Sequence, residues 1–148
     1  VLRLKGYKIP VISTITEIAA RKRDEDKFVL GPVTLVTGII ITALTIKNPD
    51  CRKIGIFALS FGDGLASLCG KFFGRIHISF TKGKTAAGSI ACFTAVFITT
   101  FCVCKNTQES LIIAFAAMLI EILPLADMDN IIIPPAIGWL AIYLNTVL

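Results

Sequence analysis

Four of the acidic residues stand where an apolar chain has little reason to hold a charge. Asp63 sits between Gly62 and Gly64 in "FGDGLASLCGKFFGR", residues 61–75, with mostly apolar sequence on either side. An ionisable group inside an apolar span is costly unless it faces protein or water, which makes it a functional candidate by default. Glu121, Asp127 and Asp129 follow in "EILPLADMDNIIIPP", residues 121–135. Between them, "GKFFGRIHISFTKGKTAAGS" at 70–89 carries Lys71, Arg75, Lys82 and Lys84, with Thr85 and Ser89 where a helix should begin. Carboxylates facing a basic loop are what a Mg²⁺-bound triphosphate requires: hard oxygens for the metal and cations for the phosphates. The metal candidates are Asp63, Glu121 and Asp129. The phosphate candidates are Lys82, Lys84, Thr85 and Ser89, set at a helix N-terminus whose open N–H groups attract anions.

Plainer readings stand beside these. Asp63 could be a structural acid bonded to a neighbouring helix, although its flanking glycines also let backbone approach a ligand. The loop acids could simply pair with the loop bases. The "GKT" at 83–85 is not a phosphate-binding P-loop, because Ile78 stands where the motif's first glycine belongs. The lone His77 reads as a loop residue rather than a catalyst. The five cysteines contain no C-x-x-C pair, and Cys92, Cys102 and Cys104, in an apolar run, read as small hydrophobes.

The elements that must position these groups are helices in lipid. The chain has 148 residues, 55% hydrophobic and 17% charged, with a mean hydropathy of +0.79. Ordinary soluble domains are less apolar and more highly charged. Five apolar stretches, roughly 30–46, 54–70, 85–104, 110–126 and 130–148, are candidate spans. Several are short for the ~17–25 residues that cross a bilayer, so tilted or partly buried helices are expected. The fold expected is therefore an all-α polytopic membrane bundle of about five transmembrane helices. Gly62, Ala66 and Gly70 form a small-residue ridge against which another helix can pack closely. Asp63 and Gly70, two turns apart, share nearly one face.

Residues 1–28 differ in character and read as a basic cytoplasmic or interfacial segment, ahead of a transmembrane catalytic domain at 29–148. Thr14 and Glu17 have capping-box spacing, and Ile15, Ile18 and Ala19 share a face ahead of Arg21, Lys22 and Arg23. With no Met or signal pattern at its start, the chain is expected to be a fragment or cleaved product of something longer. Five spans put the N-terminal segment and loops 71–84 and 126–130 on one side, with eleven Lys/Arg against four on the other. The basic side is then cytoplasmic. The net charge of +5 thus reflects topology and an anion site; without a basic–aromatic stripe, nucleic acid is excluded as a partner.

"GDGLASLCGKFFGR…KGKTAAGS" followed by "EILP…DNIIIP" resembles the dolichol kinase and phytol kinase group of integral membrane enzymes, which includes the CTP-dependent diacylglycerol kinases. The likeness covers about residues 28–148. It implies phosphoryl transfer, usually from CTP with Mg²⁺, to the hydroxyl of a membrane lipid: a polyprenol, a phytol-like alcohol or diacylglycerol. It places Gly62, Asp63, Gly70 and Lys71 in the nucleotide motif, with Lys84 and Ser89 in its second part. Glu121, Asp129 and Asn130 fall in the acidic motif, and Asp63 or Asp129 would orient or deprotonate the acceptor hydroxyl. Family members also carry earlier helices with a basic pair that this sequence does not contain. CDP-diacylglycerol synthases share the "GD…GK.FG…K" core, but their Gly- and His-containing ending is not found here. A non-enzymatic transporter or scaffold using Asp63 as an ion site is the remaining alternative. The expected setting is a multi-pass protein of a bacterial inner membrane or an endoplasmic-reticulum-like membrane, its site facing the cytoplasm, with lipid and nucleotide as partners and homo-oligomerisation left open.

Overall fold

The computed structural model describes residues 30–147 except 79, 80, 82, 126 and 127. The basic segment 1–28 therefore lies outside the described residues, as do Lys82 and Asp127. Gly31–Leu148 form a compact unit of their own. Among the described residues the unit holds five helices and no strand: α1 Leu30–Thr45, α2 Pro49–Phe73, α3 Ala86–Cys104, α4 Thr107–Ile122 and α5 Asp129–Val147.

Local rules place most of the ends. Asn48 accepts from the N–H groups of Asp50 and Cys51 and is followed by Pro49 at the first helical position, where proline's missing N–H costs nothing. Thr85 caps α3 by accepting from Gly88 N at 3.2 Å. Lys105 closes α3 in the left-handed region at φ 58°, and Asn106 caps α4 through Gln108 N and Glu109 N. The second helix starts five residues before the expected 54, because hydropathy is blind to a capped first turn carrying Asp50, Arg52 and Lys53. The fourth is displaced from 110–126 to Thr107–Ile122, set by the Asn106 cap and by Pro124 just beyond the end.

In sequence order α2, α3, α4 and α5 pack each on the next, and α5 closes back on α2. Ile46, Leu59, Val96, Ile113, Ile133 and Ile137 are fully or almost fully buried within the bundle. Close approaches are made at glycine. A Cβ on Gly55 would collide with the Pro134 carbonyl of α5, and one on Gly38 of α1 with the carbonyl of Asn130. That carbonyl would ordinarily accept from residue 134, but proline there has no N–H to give. In α1, Thr34, Thr37, Thr42 and Thr45 turn their hydroxyls back onto carbonyls three or four residues earlier, which satisfies them without water.

The outer surface is apolar. Leu44 is 79% exposed, Phe72 and Phe73 each 73%, and Tyr143 63%, a covering that lipid tolerates far better than water. Two helices, Pro49–Phe73 and Ala86–Cys104, are long and apolar enough to cross a membrane. Each of the five expected stretches coincides with a helix, yet among the described residues only these two qualify as spans by length and composition.

Candidate functional site

The site begins with an irregularity in α2. Residues Ala58–Asp63 form a π-helical turn between α-helical segments Pro49–Phe57 and Gly64–Phe73. The wider turn shifts the facing of the residue that ends it, and such bulges recur at functional positions. That residue is Asp63, half-buried. Gly62 beside it packs on α3, where a Cβ would meet Val96 Cγ2 at 2.8 Å and Cys92 Sγ at 3.3 Å. Further along, a Cβ on Gly88 would meet the Ala66 carbonyl at 2.8 Å, and one on Gly70 the Thr85 hydroxyl at 2.9 Å. The Gly62–Ala66–Gly70 ridge is thus filled by α3. It does not form an open groove, and its glycines serve helix contact.

Between α2 and α3 the loop is tied down by its own hydrogen bonds. Ala86 N–H donates to Ile76 O at 3.1 Å and Ile78 N–H to Lys84 O at 3.0 Å. Thr81 hydroxyl accepts from Lys84 N–H at 3.2 Å. Sequence reasoning did not single out Thr81, which holds the Lys84 backbone in place. His77 forms an isolated bridge with Thr85 and is exposed, consistent with a loop role. At the start of α3, Ala86 N–H is taken by Ile76 O, Gly88 N–H by the Thr85 hydroxyl and Ser89 N–H by Thr85 O. Ser89 hydroxyl also turns back to Thr85 O at 3.3 Å. The helix N-terminus expected to hold a phosphate has most of its donors engaged, and Thr85 and Ser89 act there as cap and first-turn support.

Lys84 reaches across to the far motif. Its ammonium donates to Glu121 Oε1 at 2.6 Å and Asp129 Oδ2 at 3.3 Å. The Lys84 side chain is 25% exposed, those of Glu121 and Asp129 only 5% and 8%. Burial pulls the Lys84 pKa down, but the hydrogen bond and charge of Glu121 and the charge of Asp129 outweigh it, holding the ammonium above its ordinary value. The loop-to-loop pairing expected of a purely structural arrangement is therefore present.

Pairing does not exhaust the site. Asp63, Glu121 and Asp129 each offer an oxygen, and these oxygens lie within 4.8 Å of one another. Three carboxylates at such spacing repel by several kcal/mol at an effective dielectric of about 20, and the Lys84 ammonium offsets part of the charge of Glu121 and Asp129. Glu121 Oε2 is buried with no hydrogen-bond partner among the described residues, and an orphaned charged acceptor costs more than the ~1–3 kcal/mol of a neutral one. Three carboxylates so placed, one of them with an oxygen that has no donor among the described residues, fit a small divalent cation.

Other expected residues are placed differently. Asn130 donates its N–H to Asp129 Oδ1 at 2.9 Å and its side-chain amide to Thr34 Oγ1 at 3.2 Å. It orients Asp129 and ties α5 to α1. Lys71 is exposed in the last turn of α2. Cys92, buried beside Gly62, lines the approach of α3 to Asp63. Its spacing from Thr85 and Ser89, seven and three residues, marks the inward face of α3. The five cysteines are free thiols. An apolar groove of about 560 Å³, lined by Phe93, Phe115, Leu119 and Leu140 among others, contains none of the carboxylates.

The chain is similar to known proteins. It is 27% identical over 158 aligned positions to a probable chloroplastic phytol kinase of Oryza sativa subsp. japonica, covering 94% of this chain and 49% of that protein. It is 32% identical over 106 positions to the dolichol kinase of Saccharomyces cerevisiae, covering 68% of this chain and 19% of the relative. It is 28% identical over 126 positions to a chloroplastic farnesol kinase of Arabidopsis thaliana, covering 75% and 41%. The chain spans about half the length of the phytol kinases it matches. No family model matches it, and no solved structure does.

Proposed function

Because this chain belongs to the family of the phytol, farnesol and dolichol kinases, we propose that it carries the catalytic core of a lipid-alcohol kinase that uses CTP and Mg²⁺. The observation that carries the reading is the convergence of Asp63, Glu121 and Asp129 with Lys84 at one end of the bundle. These residues come from α2, the α2–α3 loop, α4 and α5, and they bring together the two motifs that resemble the kinases.

Glu121, Asp129 and Asp63 are the residues that would hold Mg²⁺, which when bound supplies charge compensation to the donor's phosphates. Lys84 gives a second positive charge, mobile on a flexible stem, for the phosphate oxygens. Asp63 or Asp129 accepts a hydrogen bond from the acceptor hydroxyl and draws off its proton as the oxygen attacks. Lys82, on the same loop, adds to the positive field. The low exposure of Glu121 and Asp129 keeps water from competing with the lipid alcohol. An apolar outer surface suits an acceptor arriving laterally from the bilayer.

Five membrane-crossing helices, with loops 71–84 and 126–130 together on the cytoplasmic side, complete the proposal. The Lys84–Asp129 ion pair supports placing those loops at the same end, and charge asymmetry supports the side. The test is an assay of the full-length protein with labelled CTP and ATP against phytol, farnesol, dolichol and diacylglycerol. Lipid monophosphate with release of the nucleoside diphosphate is the expected product. A CDP-linked lipid formed from added phosphatidate, with release of diphosphate, would instead assign a cytidylyltransferase, and ion flux without nucleotide binding would assign a transporter.

A further inference from the structure

Lys84 and a divalent cation draw on the same carboxylates. Its ammonium lies 2.6 Å from Glu121 Oε1 and 3.3 Å from Asp129 Oδ2, two of the three carboxylates that converge on one point. A small divalent ion sits about 2.0–2.1 Å from each donor oxygen. An ammonium bonded to two of those carboxylates would then stand within a few ångströms of it, and the like charges would repel strongly in a site this buried.

Resting on the metal-and-phosphate reading above, we propose that Lys84 is an exchangeable counter-ion. It holds Glu121 and Asp129 while the site has no metal, and it leaves them for the nucleotide's phosphates when the divalent cation arrives. Lys84 would thereby couple metal loading to donor binding.

Three features of the structure allow such an exchange. The Lys84 backbone is anchored, its N–H on the Thr81 hydroxyl and its carbonyl on Ile78 N–H, so only the side chain has to move. That side chain is 25% exposed, against 5% and 8% for its partners, so the ammonium can swing outward while the carboxylates stay. The ammonium also leaves Glu121 Oε2 unpartnered, so its hold on the site is incomplete and a better-fitting cation can displace it. An arginine would clamp the carboxylates through two parallel hydrogen bonds; a lysine makes point contacts that are easily broken.

The consequence is a pair of effects of opposite sign. Lys84→Gln removes the competing cation, so Mn²⁺ used as the probe should bind about tenfold tighter, while CTP at saturating Mn²⁺ should bind about tenfold more weakly, within the usual range for coupled ligands. Lys84→Arg should weaken Mn²⁺ binding. The experiment titrates Mn²⁺ into the full-length protein in nanodiscs, following free Mn²⁺ by electron paramagnetic resonance, for wild type, Lys84→Gln, Lys84→Arg and Glu121→Gln. A second measurement needs no variant. Amine labelling of wild-type Lys84, read by mass spectrometry against exposed Lys105, should accelerate severalfold on adding Mn²⁺. If Glu121→Gln loses Mn²⁺ but Lys84→Gln binds it no better than wild type, the exchange is refuted and the metal site stands. Should Lys84→Gln fail to fold, labelling that is unchanged or slowed by Mn²⁺ refutes it equally. If the wild type binds no Mn²⁺, or Glu121→Gln binds it as the wild type does, the metal reading falls and the exchange with it.

Discussion

Replacing Glu121 by Gln separates the chemical role of the site from its structural one. The side chain is 5% exposed and its Oε1 accepts from Lys84 at 2.6 Å, while Oε2 has no partner. At an effective dielectric of about 20, unit charges this close attract by roughly 6 kcal/mol before any cost is counted. Removing the two ions from water takes back several kcal/mol per ion, and Lys84 keeps Asp129 at 3.3 Å in the variant. Gln still offers Lys84 an oxygen, and it removes a buried charge whose second oxygen was unsatisfied. These terms oppose one another, so the net stability change should stay within about 2 kcal/mol, an apparent Tm shift of no more than about 4–8 °C. Catalysis has no such offset. Losing one charge-stabilising group at a phosphoryl-transfer site commonly costs about 10²–10³ in kcat. The assay is phosphoryl transfer to the preferred lipid alcohol, with thermal unfolding measured on the same preparation. Turnover within about threefold of wild type would remove Glu121 from the mechanism. Turnover lost together with a Tm collapse beyond about 15 °C would make it a structural residue.

Asp63→Asn should abolish turnover while the protein still folds and inserts, because Asn preserves the shape at the end of the π-helical turn; wild-type-like activity would leave Asp63 no part in the chemistry. Gly88→Val should fail to accumulate, since a Cβ there meets the Ala66 carbonyl at 2.8 Å. Gly64→Ala should stabilise by about 0.5–1 kcal/mol, because nothing lies within 4 Å of the added carbon and alanine favours helix; equal tolerance at both positions would contradict the α2–α3 packing described. In metal-free protein, the folded pKa of Lys84 is raised above its ordinary value, so the stabilisation from its ion pairs is complete below that value and lost as pH rises through the raised one. Thermal stability with chelator present should therefore show no Lys84-dependent decline between about pH 7 and 10, measured as the difference between wild type and Lys84→Gln.

Much of this molecule is determined by the sequence acting locally. Apolar runs long enough for a helix mark all five helices. Asn48 before Pro49, Thr85 before an alanine pair, and Asn106 after a left-handed Lys105 mark where helices start and stop, because capping needs only neighbouring residues. The odd acids are legible for the same reason: Asp63 and Glu121 are costly where they stand, and that cost is visible without a fold. Boundaries failed where polarity concealed a helical turn, as at Asp50–Lys53, and where an apolar run outlasted its helix, as at Leu123–Leu125.

What the tertiary structure decided is which charges meet. Lys84 finds Glu121 and Asp129 from 37 and 45 residues away, and no local rule sets that distance. It follows from how closely α2 and α3 approach, which the missing Cβ atoms of Gly62, Gly70 and Gly88 permit, and from α5 returning to α2. The same packing uses those glycines for helix contact and gives the Asn130 amide to Thr34, roles that spacing alone could not separate from ligand binding. The π-helical turn has no signature in "ALSFGD". It sits where α2 packs on its neighbours, with Ala58, Leu59 and Gly62 buried there, and contacts with other helices are not written in the local sequence.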